Sequence, residues 1–196
     1  MRTYLASGNA SNKYAVVKLR SPLRQHGAFL LRKVIMEIVK GCLYFLKDCF
    51  FEKVNDPYLK KDHETSQRPH YFAFKDKQTA LFWLIPCSSK VEKYERIIRS
   101  RQEKGKSSNG IKIVKIQNKK IALLFQDMFP VSENYILKPY IRGGQIMRVY
   151  DIKVLTTLEK NADRTVKLLR KGMQFTPTSP NVLNIEKLML EELQKI

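Results

Sequence analysis

The stretch Arg68-Pro-His-Tyr-Phe-Ala-Phe-Lys75, Asp76-Lys-Gln-Thr79, Ala80-Leu-Phe-Trp-Leu-Ile85, Pro86-Cys-Ser88-Ser89-Lys90-Val-Glu-Lys93-Tyr94 decides the fold. His70 to Lys75 is aromatic and rich in strand formers. Asp76 to Thr79 is polar and reads as a tight turn. Ala80 to Ile85 is an apolar run too short for an ordinary helix, so it reads as a buried strand. Pro86 is expected to stop it. Helical period then begins after the serine pair and continues to about Lys104, with Val91, Tyr94, Ile97 and Ile98 on one face.

The start of that helix carries two readings. Ser89 followed by Glu92 fits a capping box, in which the hydroxyl takes a free amide and the glutamate reaches back. Glu92–Arg96 and Glu95–Arg99 add pairs at i,i+4. Lys90 and Lys93, however, fall in the first turn, where the helix dipole disfavours a cation by roughly 0.3–1 kcal/mol each. A bound phosphate would account for them, because hydroxyls, free amides and lysines at a helix N-terminus make an anion site. The bland alternative makes Ser89 a cap and the lysines solvated surface.

Outward from this stretch, Cys42 to Leu46 reads as the first core strand and Cys49 to Val54 as a short helix. Asn55-Asp56-Pro57 is a turn, and 60–67 is a polar loop ending at Arg68. Ile111 to Ile116 and Lys120 to Gln126 form a hairpin about Asn118-Lys119. Residues 130–139 read as irregular, and Ile146 to Tyr150 as a last edge strand. Ile152 to Lys171 is helical with a break near Asn161, and Gly172 is a natural stop. Ser179 is expected to cap a final helix with Pro180 at its first position. Val182, Ile185, Met189 and Leu193 make a stripe at helical spacing that suits core packing.

The 196 residues fit one domain, 39–196, behind a basic extension, 1–38. Residues 1–35 hold seven basic residues and no acidic one. Three readings suit that composition: an arm that tracks RNA, an acid-poor transit segment, or an overlong start with the true one at Met36. The formal charge is +19, and residues 36–196 hold 30 of the 37 basic residues and all 18 acidic ones. A surplus of that size points to an anionic partner. No apolar run approaches the ~18 residues needed to span a bilayer. Three cysteines without zinc-type pairing read as reduced thiols in a cytoplasm, and three scattered histidines form no ligand motif.

Three separated segments carry a resemblance. Arg68-Pro-His-Tyr-Phe-Ala-Phe, Leu84-Ile-Pro-Cys-Ser-Ser-Lys-Val-Glu-Lys-Tyr94 and Gln126-Asp-Met-Phe-Pro-Val131 resemble the toxins of bacterial type III toxin–antitoxin systems, specifically the CptN branch of the ToxN/AbiQ endoribonucleases. The resemblance covers about Gly41 to the C-terminus. It implies an α+β fold, a compact antiparallel β-sheet or barrel-like core with peripheral helices of ToxN/Kid-like type. It also implies metal-independent RNA cleavage without a cofactor, target mRNA as substrate, and inhibition by a small structured antitoxin RNA of repeated units in a heteromeric assembly. CptN-like proteins begin close to the Gly41 strand, which favours the reading that starts at Met36.

RNA cleavage without a metal uses the 2′-OH as nucleophile. The protein must activate it, stabilise the phosphorane and protonate the leaving oxygen. Arg68, Ser88, Ser89 and Lys93 are the candidate catalytic residues. The serines would orient the phosphate, since no His/Asp pair accompanies them. Lys93 would do acid–base work or stabilise charge, with Lys90 the alternative. Arg68 lies where the resemblance implies a basic residue near the scissile phosphate. Lys47, Lys75, Lys90, Gln126 and Lys138 are the candidate RNA-binding residues, Gln126 being expected beside the serine pair. A metal nuclease is disfavoured because the carboxylates do not cluster. The competing class is a non-catalytic basic RNA-binding protein whose Tyr71, Phe72 and Phe74 stack bases, although residues 72 and 74 share one strand face and are expected in the core.

Overall fold

Strand β3, Phe82–Ser88, is the hub of the chain. In the computed structural model, which describes residues 37–59 and 67–195, it pairs antiparallel with β2, His70–Lys75, along one edge. Its other edge is shared. Phe82, Trp83 and Leu84 face β6 (Phe129–Val131), while Cys87 and Ser88 face β5 (Lys119–Leu123). β4 (Lys112–Ile116) pairs with β5, β1 (Leu43–Leu46) with β2, and β7 (Ile136–Pro139) with β1. The result is a seven-stranded antiparallel sheet in the order β4-β5-β3-β2-β1-β7, with β6 beside β3. Two short strands, β8 (Ile141–Arg142) and β9 (Gln145–Ile146), form a separate hairpin. Four α-helices complete the described residues: α1 (Asp48–Val54), α2 (Val91–Glu103), α3 (Ile152–Arg170) and α4 (Val182–Leu193). The α+β class read from the sequence is the observed one.

Every residue of β3 is buried because both faces of the sheet are covered. Trp83, Ile85 and Cys87 share a core with Leu158, Ala162 and Val166 of α3. Phe82 and Leu84 share another with Phe50 and Phe51 of α1 and Ile185 and Met189 of α4. Each Leu, Ile, Val, Phe or Met side chain among them contributes about 1.5–3 kcal/mol on burial. α2 lies over β4 and β5, its Tyr94, Ile97 and Ile98 packing against Ile111, Ala122 and Leu124. Met36–Ile196 forms one compact unit, and Ile38 already packs on the α1/α4 core. The expectations for residues 1–36 and 60–66 lie outside the described residues.

The turn between β2 and β3 is organised by Asp76. Its Oδ1 accepts the Gln78 amide at 2.8 Å, and its Oδ2 meets Arg170 of α3 at 2.5 Å. Arg170 also bonds Glu186 of α4 and lies over the Trp83 ring at 5.5 Å. One guanidinium therefore ties the hairpin to both helices.

Several sequence expectations are corrected. Pro86 does not stop β3; its carbonyl accepts the Leu124 amide at 3.0 Å and Cys87 donates to Pro69 at 3.1 Å, so pairing continues around the missing N–H. Residues 130–139 hold β6 and β7, whose short length and prolines hide them from a periodicity argument. Ile146 to Tyr150 is no extended edge strand: only β9 and a bridge between Cys42 and Arg148 form there. The Lys120–Gln126 strand ends at Leu123 and passes into a 3-10 turn, Phe125–Asp127. α3 runs unbroken through Asn161, capped by Asp151, whose carboxylate accepts the amides of Lys153 and Val154. α4 is capped by Asn181 rather than Ser179, which is buried and donates to the Gln126 carbonyl. Tyr71 and Phe72 are buried on opposite faces of the sheet; a bulge between Phe72 and Phe74 sets the half-buried Phe74 against the Tyr71 core rather than on the Phe72 face, so two of the three rings are closed to base stacking.

Candidate active site

Where β3 ends and α2 begins, the chain lines a cleft of about 430 Å³. Arg68, Ser88, Ser89, Lys90 and Lys93 all line it. Sequence neighbours supply four of these. Arg68 arrives from the other strand of the hairpin, because antiparallel pairing sets His70 opposite Pro86. Its guanidinium Nη1 donates to the Cys87 carbonyl at 2.9 Å.

The capping box expected at Ser89 does not form. The N-cap of α2 is Lys90, with no side-chain cap. Ser88 takes a local role instead: its Oγ accepts the Lys90 amide at 3.2 Å, while the Ser89 carbonyl accepts the Val91 amide at 2.9 Å. These bonds make a tight turn that leaves the Ser89 side chain exposed on the cleft. The first-turn amides of Glu92 and Lys93 lack an intrahelical acceptor, as at any helix start. The cleft thus combines the Arg68 guanidinium, the ammonium groups of Lys90 and Lys93, the exposed Ser89 hydroxyl and the free Lys93 amide, a donor set suited to a phosphate.

Three further lining residues escaped the sequence reading. Lys119 is the first residue of β5, a position indistinguishable from the solvated lysines around it. Tyr94 belongs to the apolar face of α2 and also lines the cleft, with the Lys93 ammonium 5.9 Å from its ring centroid. Tyr140 follows β7, just past the segment 130–139 that reads as irregular. Its amide donates to the Leu43 carbonyl at 2.7 Å, and its ring meets Phe45 edge-on at 5.2 Å. No local pattern announces a residue fixed by pairing almost a hundred positions away.

The residues behind the cleft are chemically quiet. His70 is fully buried between Phe51 and Phe129. Burial, reinforced by the Arg68 charge, pushes its imidazole down to about 3. Burial pushes the Cys87 thiol up to about 12. Neither a protonated imidazole nor a thiolate is available there at neutral pH. Among the described residues, no three His, Cys, Asp or Glu side chains gather closely enough to hold a metal ion.

The remaining candidates disperse. Gln126 is not beside the serine pair. It is buried, and its Oε1 accepts from Arg101 at 3.3 Å, eight residues along α2 from Lys93, about 12 Å of helix rise. The 3-10 turn Phe125–Asp127 after β5 carries it there. Lys75 lies over the Phe82 ring at 4.7 Å, at the opposite end of β2 from Arg68. Lys138 pairs with Phe45 and lies over its ring at 5.9 Å, and does not line the cleft. Lys47 is exposed directly after β1. No helix among the described residues is long and apolar enough to cross a membrane.

No protein-family model and no curated protein matches the chain. Among solved structures, it is similar to AbiQ, a lactococcal anti-phage endoribonuclease belonging to the type-III toxin–antitoxin system, with a TM-score of 0.59 at 14% identity over 78% of this chain and 98% of that one. At that identity the likeness is one of fold: the chain folds as AbiQ does.

Proposed function

We propose that this protein is an endoribonuclease toxin of a type III toxin–antitoxin system, of the CptN branch, which cuts RNA in the bacterial cytoplasm without a metal. The observation that carries the reading is the convergence of Arg68, Ser88, Ser89, Lys90 and Lys93 on one cleft in a fold similar to that of AbiQ. In the reaction, the ribose 2′-oxygen attacks the adjacent phosphorus. Its proton passes to a base, the bond from phosphorus to the 5′-oxygen breaks, and that oxygen takes a proton. The products are a 2′,3′-cyclic phosphate and a 5′-hydroxyl.

Arg68 and the amide of Lys93 would stabilise the charge that builds on the phosphorane. Ser89, exposed on the cleft, would orient the phosphate, and Ser88 would hold the turn that presents it. Lys93 is assigned the acid–base or charge-stabilising role, with Lys90 the alternative. Tyr94 and Tyr140 offer rings against which a flanking base can stack. A structured antitoxin RNA would be both processed and bound by the same basic surface, in a heteromeric assembly that restrains cleavage of mRNA.

The competing class is a non-catalytic RNA-binding protein with the same basic surface; two of the three rings it would use for stacking, Tyr71 and Phe72, are buried. Purified protein incubated with RNA decides between the two. Discrete fragments with cyclic-phosphate ends support the nuclease; bound, intact RNA supports the binding module.

A further inference from the structure

A second cleft, of about 670 Å³, lies at the other end of α2, between 106–110 and the α3 surface with its following loop. Arg101, Lys106 and Arg164 line it with no acidic residue among them, Asn109 and Asn161 add polar groups, and Phe175 supplies a half-buried ring. Lys106 and Arg164 are exposed and have no carboxylate partner among the described residues. Arg101 is held in place. Gly110 has no side chain, and a Cβ there would come within 3.1 Å of Gln126. Gln126 therefore packs against that loop, donates its amide to the Gly110 carbonyl at 3.0 Å, and accepts from the Arg101 guanidinium.

We propose that this second cleft binds a nucleotide of single-stranded RNA away from the cut, with its phosphate against Arg101, Lys106 and Arg164 and its base against Phe175. The proposal rests on the reading of the protein as RNA-directed. Charge complementarity favours an anionic strand, and a ring beside the cations favours one that carries bases. Gln126 is then a positioning residue acting through Arg101. α2 joins the two clefts, since Lys93 and Arg101 are about 12 Å apart along it. A strand lying along this helix would reach both.

The test measures, with the full chain, affinity for a long single-stranded RNA and turnover of a trinucleotide too short to reach the second cleft. Lys106→Gln/Arg164→Gln removes two exposed cations without touching the core. Lys77→Gln/Lys187→Gln, elsewhere on the surface, matches the charge loss. The first pair should weaken long-RNA binding roughly ten-fold more than the control and reduce the log–log salt slope by about 1–2. Phe175→Ala should weaken it roughly ten-fold, and trinucleotide turnover should not change. Affinity no lower than the control's, with cleavage intact, overturns the second cleft alone. Binding that depends on Lys106 and Arg164 without any cleavage by the wild type sustains the cleft and removes the nuclease reading. Loss of neither binding nor cleavage in Phe175→Ala removes the base contact.

Discussion

The Arg68 guanidinium donates to the Cys87 carbonyl at 2.9 Å, tying the segment ahead of β2 to the end of β3, next to the serine pair. The same group is a cation on the cleft wall. Arg68→Met removes both roles and should lower cleavage by about 10²–10³-fold, the usual cost of losing one preorganised donor. Arg68→Lys keeps a charge but not the planar fork, and should recover only part of the rate. Single-turnover cleavage on both variants checks this; a normal rate in Arg68→Met would exclude the residue from the chemistry.

The serines separate by role. Ser88 makes the turn bond to Lys90, so Ser88→Ala should cost about 0.5–1.5 kcal/mol of stability, the net worth of one hydrogen bond. Ser89 caps nothing, so Ser89→Ala should leave the melting temperature within the range of an ordinary surface change, about 0.5 kcal/mol. It should nevertheless slow cleavage. Ser89→Asp should fold as well as the wild type and cut poorly, because its charge repels the scissile phosphate. Lys93→Met should fold, keep most antitoxin binding and lose toxicity. A fully active Ser89→Asp or a fully toxic Lys93→Met would move the chemistry away from this helix.

His70 predicts a pH dependence of stability. Its folded pKa of about 3 lies below the value of 6.5 it has when exposed. Between those values the unfolded chain binds the extra proton, so stability rises with pH and is lost as pH falls below about 6.5. From pH 7 to 4.5 this group alone should cost about 2–3 kcal/mol. His70→Phe, which fills the space between Phe51 and Phe129, should flatten that part of the profile. Denaturant unfolding at a series of pH values reads it directly, and an unchanged slope in the variant would assign the dependence to another group.

The sequence reading located β2, α1, α2 and the β4–β5 hairpin to within a few residues, because each has a period or a turn signal of its own. It missed β6 and β7, three to four residues long and broken by Pro130 and Pro139, since their existence depends on partners in β3 and β1. Arg68 and the serine–lysine segment were legible as a group through the resemblance; that they share one cleft follows from the hairpin register. Lys119 and Tyr140 were not legible, because nothing local distinguishes a lysine or tyrosine on a cleft wall from one in solvent. Ser89 was misread as a cap because Ser-x-x-Glu specifies a capping box only if the serine is the N-cap, and the Ser88 turn shifts the start by one residue.

Binding should be strongly salt-dependent. Residues 36–196 carry 30 basic and 18 acidic residues, a net +12. Contacts with several phosphates give a log–log slope of several units. Fluorescence anisotropy of a labelled antitoxin RNA across a salt series measures it. A nearly flat response would make base stacking, not charge, the source of affinity.

The central claim is that the RNA's own 2′-hydroxyl is the nucleophile in the Arg68–Ser89–Lys93 cleft. It is tested most directly by a matched pair of substrates, one all-ribose and one with a single 2′-deoxyribose at the cut site, incubated with the protein in excess EDTA. The all-ribose substrate should be cut to a 2′,3′-cyclic phosphate and a 5′-hydroxyl, and the deoxy substrate should remain intact. Cleavage of the deoxy substrate at the same bond, or cleavage that disappears in EDTA and returns with magnesium, would contradict it.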